Sequence, residues 1–280
     1  MTAAEARLCF VGPLVGRHAG NATMQAEKLA DLFARSGHPV RSFSSQRNPY
    51  LRLLDTVLQL IRHGRRVDVT LLEIYGGRSF VIEDVASWLA RRLGHRLIMT
   101  LHGGALPEFT ARYPRWSRRV LRRADLVVAP SGYLARMART QGLPVTIIPN
   151  VIDPSVYPFR LRSHAEPRLW WMRSFHEIYN PRMALRVLAR LRDRGHDATL
   201  TMCGPDKGLE PSIRSEAQAM GLADHVRFAG FLDAEGKARE GGAADIFLNT
   251  SRIDNMPVAL VEAAALGLPA VSTDVGGIPD

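Results

Sequence analysis

In the C-terminal stretch from Ser251 to Asp280, two of the four acidic side chains lie close to a short apolar segment. Asp254 precedes the segment, Pro257 stands where it begins and Glu262 lies inside it. Proline suits the first turn of a helix because its missing N–H has no intrahelical partner there. The pattern predicts a helix that Asp254 or Asn255 caps and a glycine ends.

The spacing of the two carboxylates limits the chemistry that they could do. Glu262 lies about 8 Å past the predicted helix start, at about 1.5 Å per residue. Asp254 and Glu262 are therefore too far apart to share one proton. The first-turn N–H groups and the helix dipole suit a diphosphate, and carboxylates accept hydrogen bonds from vicinal hydroxyls. One interpretation is an extended ligand bracketed by the two acids. The other is an ordinary cap and one polar residue on an alanine-rich helix.

Strands and helices alternate along the chain in two successive series. Continuous apolar runs such as "VDVTLLEIYG" and "HRLIMTLHGG" end in Gly, Ser or His. Such runs indicate strands that are covered on both faces, as in a parallel sheet between two helical layers. A proline-containing stretch after "VTIIPNVID" interrupts the series, which restarts at "RLWWMRS". We therefore predict an α/β fold with two Rossmann-like, doubly wound domains, residues 1–160 and residues 161–280.

The composition is that of a globular protein. The chain has 280 residues, of which 46% are hydrophobic and 23% charged. No apolar run approaches the roughly 18 residues of a membrane span, and the first residues lack the basic start of a signal peptide. Cys9 and Cys203 fall in predicted buried strands, which favours two thiols in a reducing cytoplasm over a disulfide. The predicted location is cytoplasmic.

The positive charge is concentrated in the first domain. The net charge is +10, and residues 1–160 hold 23 Lys+Arg against 11 Asp+Glu. The densest run, "RYPRWSRRVLRRADLVV" (Arg112–Val128), predicts a helix with Trp116, Val120 and Leu121 on its apolar side. Its arginines are interpreted as a solvated face or as a contact with an anionic membrane surface. Nucleic acid is not expected as a partner, because aromatic platforms and a recognition helix are missing from the pattern.

Several motifs in order resemble the family-4 glycosyltransferases of the GT-B fold. The spacing from Asp254 to Glu262, followed by "EAAALGLPAVSTDVGGIP", resembles their donor motif. The segment "RADLVVAPSGYLARMARTQGLPVTIIPNVID" (Arg123–Asp153) resembles the end of their first domain. "LHGG" (Leu101–Gly104) and "VGPLVGRHAGN" resemble two glycine corners of that domain. The resemblance covers the whole chain.

The resemblance implies an enzyme of the hexosyltransferase type. It would move a sugar from a nucleotide-diphosphate donor to an acceptor hydroxyl and retain the anomeric configuration. It would need neither a metal ion nor a cofactor. The acceptor class stays open between a glycan, a lipid and a small metabolite, and the donor sugar and nucleobase are not identified.

The resemblance also assigns roles to residues. Glu262 would hold the ribose hydroxyls, Asp254 would face the donor sugar, and Arg173 would neutralise the diphosphate leaving group, on which negative charge builds in the transition state. His102 would face the sugar or the acceptor; its alternative is a helix-capping or core histidine. The other donor-binding residues implied are Gly16, Gly230, Leu232, Asn255, Met256, Pro257 and Val258.

Three departures from the family pattern stand out. Tyr179–Pro181 occupy the place of a usual lysine, so His176 and Arg182 become candidates for the second phosphate-binding cation. Asp254 stands where glutamate is more usual. Family members continue beyond the position of Asp280, which we interpret as the end of a fragment, with a truncated gene product of impaired activity as the alternative. The second sheet would then lack a finishing strand and covering helices.

Two other function classes compete with the transferase. A truncated chain could bind a nucleotide sugar or a membrane surface without turnover. An enzyme of the same architecture, such as a sugar-nucleotide epimerase or a glycogen-type phosphorylase, is the other alternative. A phosphorylase needs a lysine for pyridoxal phosphate, and the positions of Lys28, Lys207 and Lys237 do not suggest one.

Overall fold

The chain folds into two compact α/β units. The computed structural model describes residues 6–16 and 24–280. The first unit ends at Val151 and the second spans Ile152–Pro279. The boundary thus lies nine residues before the expected division at 160/161, because the intervening segment packs on the second unit: Tyr157 belongs to its core, and the Arg160 N–H donates to the Leu266 carbonyl at 3.3 Å.

The first unit contains a six-stranded, all-parallel sheet with the strand order β2-β1-β3-β4-β5-β6. β3 and β4 pair over their full lengths, from Val69 opposite Arg96 to Ile74 opposite Leu101. The strands are β1 (Leu8–Val11), β2 (Val40–Phe43), β3 (Val69–Ile74), β4 (Arg96–Leu101), β5 (Leu126–Ala129) and β6 (Val145–Ile147).

Helices cover both faces of this sheet. The Asn48 side chain accepts from the N–H groups of Tyr50 and Leu51 at the start of α2, and the Ser131 hydroxyl caps α6, so polar caps supply partners for otherwise free first-turn N–H groups. The helices are α1 (Gln25–Arg35), α2 (Pro49–His63), α3 (Phe80–Arg92), α4 (Leu106–Arg112), α5 (Pro114–Leu121) and α6 (Gly132–Thr140).

The arginine-rich run of the first unit forms a shorter helix than its pattern predicts. Pro114 starts α5 after a break at Tyr113, and the chain enters β5 at Leu126. The predicted apolar side is confirmed, since Val120 and Leu121 are buried and Trp116 packs edge-on against Phe80.

The second unit contains a five-stranded parallel sheet with the order β11-β10-β7-β8-β9. Its strands are β7 (Arg168–Met172), β8 (Thr199–Cys203), β9 (Val226–Gly230), β10 (Ile246–Asn249) and β11 (Ala270–Ser272). Its helices are α7 (Pro181–Asp193), α8 (Glu210–Ala219), α9 (Ala234–Ala243) and α10 (Val258–Ala265). The expected α/β fold with two parallel-sheet units is confirmed.

The second sheet has one apolar core on each face, and two neighbouring tryptophans pack into different ones. Trp170 and Trp171 are both fully buried, and they point to opposite faces because successive strand residues alternate. Trp171 packs with α7 and α8 residues, whereas Trp170 packs with Phe247 and α10 residues.

Both cysteines are buried free thiols, as expected, and burial raises the pKa of Cys9 and of Cys203 to about 12.

None of the helices in residues 6–16 and 24–280 is both long and apolar enough to pass through a bilayer.

Two adjacent glycines of α9 test the packing around Trp170. A Cβ atom at Gly241 would lie 2.5 Å from Leu266 Cδ1 and 2.8 Å from the Trp170 ring, whereas a Cβ at Gly242 would meet open space. We expect Gly241→Ala to lower the free energy of unfolding by about 1–3 kcal/mol through overpacking. The control Gly242→Ala should leave it unchanged or raise it by up to about 1 kcal/mol. Urea unfolding measures both, and equal stabilities of the two variants would contradict the packing described.

Candidate functional site

Three parallel strands of the second unit end side by side and carry the polar residues predicted from the sequence. β7 lies beside β10, and β10 lies beside β11. Arg173 follows β7, Asp254 lies in the loop after β10, and Gly276 and Gly277 lie in the segment after β11. The carboxyl edge of this sheet therefore gathers the candidate residues from distant parts of the sequence.

Arg173 and Asp254 form an ion pair at this edge. An Nη of Arg173 lies 2.5 Å from Oδ2 of Asp254, and the two side chains are 12% and 16% exposed. The Arg173 Nε donates to Asn249 Oδ1 at 3.3 Å, and the guanidinium lies 5.1 Å from the centre of the Tyr179 ring. The guanidinium is therefore held from three directions while a small part of it stays accessible.

Two glycines allow the backbones around this pair to touch. A Cβ at Gly204 would lie 1.9 Å from the Arg173 carbonyl oxygen, and a Cβ at Gly276 would lie 1.9 Å from the Asp254 carbonyl oxygen. Both glycines have positive φ, +142° and +60°, which disfavours other residues as well. Gly277 adds a hydrogen bond from its N–H to the Asp254 carbonyl at 3.0 Å. The glycine pair near the C-terminus thus supports the Asp254 loop.

The start of α10 differs from the sequence prediction. The residue that precedes the helix is Pro257 itself, with no side-chain cap, and the helix begins at Val258. The predicted cap by Asp254 or Asn255 is wrong because the Asp254 carboxylate is already engaged: its Oδ1 accepts from the Asn255 N–H at 2.9 Å and its Oδ2 faces Arg173. Asn255 and Pro257 are buried, whereas Met256 and Val258 are half-buried.

Glu262 lies inside the second unit, and both of its carboxylate oxygens accept hydrogen bonds there. Its side chain is 3% exposed. The Tyr157 hydroxyl donates to its Oε1 at 2.6 Å, and Lys237 Nζ donates to Oε1 and Oε2 at 2.9 and 3.0 Å. Burial, first, and the bond to Glu262, second, raise the pKa of Tyr157, so the phenol stays a donor. Sequence reasoning missed both partners, because neither lies at a spacing that links it to Glu262.

Gly230 and Leu232 lie at the end of β9 in the same unit. Gly230 has a φ of +68°, its carbonyl accepts from the Gly204 N–H at 2.8 Å, and a Cβ there would meet open space. Leu232 packs against the core cluster that contains Tyr157 and Trp170. Gly204 therefore links the end of β9 to the segment that carries Arg173.

Two of the predicted residues belong to the first unit. The Gly16 N–H donates to Glu27 Oε1 at 3.0 Å, and the Met24 N–H donates to Glu27 Oε2 at 2.8 Å. Glu27 is buried and holds both sides of the glycine loop. The rest of the motif "VGPLVGRHAGN", from Arg17 onward, lies outside the described residues.

His102 is a buried side chain at the end of β4. Its Nε2 lies in close contact with Oε2 of the buried Glu73. Its ring stacks on Tyr75 with centroids 4.9 Å apart, and the backbone N–H of His102 donates to the Ile74 carbonyl at 2.7 Å. This environment fits the core-histidine alternative of the sequence analysis, while the functional role of His102 stays a prediction.

A second buried carboxylate of the first unit, Glu83, was not found by sequence reasoning. It accepts from the Tyr75 N–H at 3.0 Å, from the Gly76 N–H at 3.4 Å and from the Ser79 hydroxyl at 2.8 Å. Burial is the largest influence on it and raises its pKa to about 7. Glu83 lies on α3, where the sequence shows only one more acidic residue on an amphipathic helix.

The two halves of the sequence match two glycosyltransferase family profiles. Residues 20–156 match the family described as Glycosyltransferase Family 4, and residues 166–280 match the family described as Glycosyl transferases group 1. Each match falls almost wholly within one structural unit.

Similarity to curated proteins covers shorter parts of their lengths. The amylovoran biosynthesis glycosyltransferase AmsK of Erwinia amylovora is 31% identical over 137 residues, which are 46% of this chain and 33% of that protein. The lipopolysaccharide core biosynthesis mannosyltransferase LpsB of Rhizobium meliloti is 26% identical over 183 residues, 60% of this chain and 51% of that protein. The matched regions thus span between about a third and a half of these relatives.

Solved structures share the fold over nearly the whole chain. The sucrose-phosphate synthase of Thermosynechococcus elongatus matches with a TM-score of 0.78 and 15% identity, over 98% of this chain and 82% of that one. HepE of Anabaena, in complex with UDP and glucose, matches with a TM-score of 0.72 and 19% identity, over 97% of this chain and 82% of that one. At these identities the similarity shows the fold.

The raised pKa of Glu83 predicts a pH dependence of stability. An unfolded glutamate titrates near 4.5, so between about pH 4.5 and pH 7 the folded chain binds more protons at Glu83 than the unfolded chain. The stabilisation is complete below about pH 4.5 and is lost as the pH rises through about 7. Glu83→Gln should therefore flatten the slope of unfolding free energy against pH in this window by up to about 1.4 kcal/mol per pH unit.

Urea unfolding at steps of pH measures this slope. Glu108→Gln is the matched control, because Glu108 is an exposed carboxylate on α4 of the same unit. The slope of unfolding free energy against pH should be the same for Glu108→Gln as for the wild type. A Glu83→Gln slope indistinguishable from that of the control would contradict the assignment.

Proposed function

Because the chain belongs to the family-4 glycosyltransferases, with one family domain in each half, we propose that it transfers a hexose from a nucleotide-diphosphate donor to an acceptor hydroxyl. The proposed reaction retains the anomeric configuration and uses no metal ion. The observation that carries this proposal is the Arg173–Asp254 pair at the carboxyl edge of the second sheet, next to the loop that leads into α10. Ligands of parallel α/β sheets bind at this edge.

Arg173 and the start of α10 are proposed to bind the diphosphate. The backbone from Asn255 to Val258 leads into the helix, whose first N–H groups and dipole favour an anion. Arg173 is already oriented by Asp254 and Asn249, so little rotamer entropy is lost when a phosphate approaches. Its charge would stabilise the leaving diphosphate as the bond to the sugar breaks. Asp254 is then placed to accept a hydrogen bond from the sugar.

Glu262 is proposed to accept hydrogen bonds from the ribose hydroxyls. A carboxylate offers about four lone-pair sites, and hydrogen bonds from residues 6–16 and 24–280 use three of them, two at Oε1 and one at Oε2. The free site is therefore on Oε2. Lys237 and Tyr157 hold the Glu262 carboxylate in place through their hydrogen bonds, which makes them positioning residues for the donor. Gly230 and Leu232 are proposed to border the nucleobase, and Gly16 and His102 keep the roles that the resemblance implies.

Arg252 is proposed as the cation that replaces the lysine missing at Tyr179–Pro181. Of the two candidates from the sequence, Arg182 pairs with Glu216, and His176 uses its Nδ1 as an acceptor for the Ile178 N–H, which an imidazolium cannot do. The Arg252 N–H donates to the Ile178 carbonyl at 2.8 Å, so this residue is anchored to the same loop. Its side chain is 59% exposed and lies 3.8 Å from Glu177.

The donor site is tested with Arg173→Ala, Asp254→Asn and Glu262→Gln in the full-length protein. Removing a group that stabilises transition-state charge costs about 10²–10³ in rate. We expect a loss of that size in kcat/KM for Arg173→Ala, measured as sugar-nucleotide turnover against a panel of donors. Glu262→Gln should mainly raise KM. Arg214→Ala on α8 serves as the control arginine and should keep wild-type activity. Full activity in both Arg173→Ala and Glu262→Gln would refute the proposed site.

Arg252→Ala tests the second cation separately. Loss of one phosphate contact should raise the KM for the donor about tenfold while kcat changes little, because the contact is made with the bound donor as well as in the transition state. Arg182→Ala should leave KM near the wild-type value. The reverse result, with Arg182→Ala raising KM and Arg252→Ala silent, would assign the role to Arg182. Titration with UDP, GDP and ADP checks the loss of binding without turnover.

A further inference from the structure

α2 exposes a stripe of large apolar side chains that the core of its unit does not use. Five such residues on this one helix are between 53% and 83% exposed: Tyr50, Leu51, Leu54, Leu58 and Ile61. The buried residues of the helix are Thr56 and Leu60. An ordinary surface helix buries most of its large apolar side chains, whereas α2 exposes five of them along most of its length.

The stripe is continuous and faces away from the core. At about 100° per residue the five side chains fall within an arc of about 100°, and they run about 16 Å along the helix axis. Thr56 and Leu60 lie on the opposite side. The neighbouring helix α3 packs against α2 and exposes Val81 and Trp88, with the guanidinium of Arg92 5.4 Å from the Trp88 ring centre. An apolar surface of this extent indicates an interaction site.

Exposed arginines flank the stripe at both ends of α2. Arg47 precedes the helix, and Arg62, Arg65 and Arg66 lie in its last turn and just after it. The acidic residue of the helix, Asp55, is half-buried and accepts a hydrogen bond from Gln59 Nε2 at 3.3 Å. The surface therefore combines an apolar centre with positive ends. A second copy of the chain would bring the same arginines against these and meet repulsion, whereas an anionic lipid surface complements both features.

The arginine-rich helix α5, which the sequence analysis interpreted as a solvated face or as a membrane contact, lacks this combination. Arg119 and Arg123 both pair with Asp84, at 2.6 and 2.5 Å. The apolar residues Val120 and Leu121 face the core. Its positive charge can add a long-range attraction, but α5 offers no apolar stripe to insert.

We propose that α2 is an interfacial helix that lies in the surface of an anionic membrane, with Leu54, Leu58 and Ile61 among the acyl chains and the flanking arginines at the lipid phosphates. The long arginine side chains can reach the headgroups while their stems cover apolar surface. The proposal depends on the first unit alone and is independent of the donor site.

Vesicle flotation tests the proposal with the full chain. Wild-type protein should float with phosphatidylcholine vesicles that contain phosphatidylglycerol, bind phosphatidylcholine alone much more weakly, and lose binding as salt is raised. Leu54→Ser and Leu58→Ser should each weaken binding about tenfold, because less apolar area is buried. Leu161→Ser is the matched control, since Leu161 is likewise an exposed leucine but belongs to the second unit. It should bind like the wild type.

A charge series separates α2 from α5. Replacing Arg62, Arg65 and Arg66 by Gln should abolish the preference for phosphatidylglycerol, whereas replacing Arg115, Arg118 and Arg122 by Gln should weaken binding far less. Sedimentation equilibrium tests whether a second copy of the chain, rather than a membrane, binds to α2. A wild-type dimer that Leu54→Ser and Leu58→Ser dissociate would overturn the proposal in favour of an interface between copies. The proposal would also be overturned if the wild type did not bind phosphatidylglycerol vesicles, or if Leu54→Ser and Leu58→Ser bound them as tightly as the wild type.

Discussion

Close backbone packing at Gly204 and Gly276 is the constraint on which the chemistry of the second unit depends. Each glycine lets one chain segment touch the carbonyl of a residue that carries a charge, Arg173 in one case and Asp254 in the other. A Cβ at either position would separate the segments and with them the two charges. The paired strands β7, β8, β10 and β11 hold the backbones of the two residues close together. The side chains of Arg173 and Asp254 therefore meet with little rearrangement. The same packing places the start of α10 beside the pair and so makes one edge of the sheet suitable for an anion.

Buried charge is the second organising feature, and four buried carboxylates, Glu27, Glu83, Asp245 and Glu262, have different partners. Burying a carboxylate without partners costs far more than a domain can spare. Glu262 takes a lysine and a phenol, and Glu27 takes two backbone N–H groups. Asp245 is 3% exposed and takes three arginines, Arg160, Arg162 and Arg168. Glu83 accepts hydrogen bonds from two backbone N–H groups and a hydroxyl, but burial outweighs them and raises its pKa to about 7. Of these groups, Glu262 lies in the unit that carries Arg173 and keeps one acceptor site beyond its protein partners.

The two units divide two tasks between them. The second unit carries the polar sheet edge at which we propose that a nucleotide diphosphate binds. The first unit carries the excess of arginine, and its α2 presents apolar side chains to solvent between positive ends. Stability alone does not favour such a helix, because its apolar area stays in water. Such a surface is unfavourable in the free molecule, and the proposed contact with anionic lipid would cover it.

The sequence by itself determined the fold class and the identity of the central charged residues. Continuous apolar runs that alternate with amphipathic segments indicate parallel sheets covered by helices, and the resemblance to the glycosyltransferase family pointed to Arg173, Asp254 and Glu262. Tertiary structure decided what those residues contact. Tyr157 and Lys237 reach Glu262 across 105 and 25 residues of sequence, and the cap expected at Asp254 was lost to Arg173. The exposed side of α2 was equally hidden, since its leucines have the same spacing whether they face a core or water. Periodicity records which residues share a face, and only packing decides what that face meets.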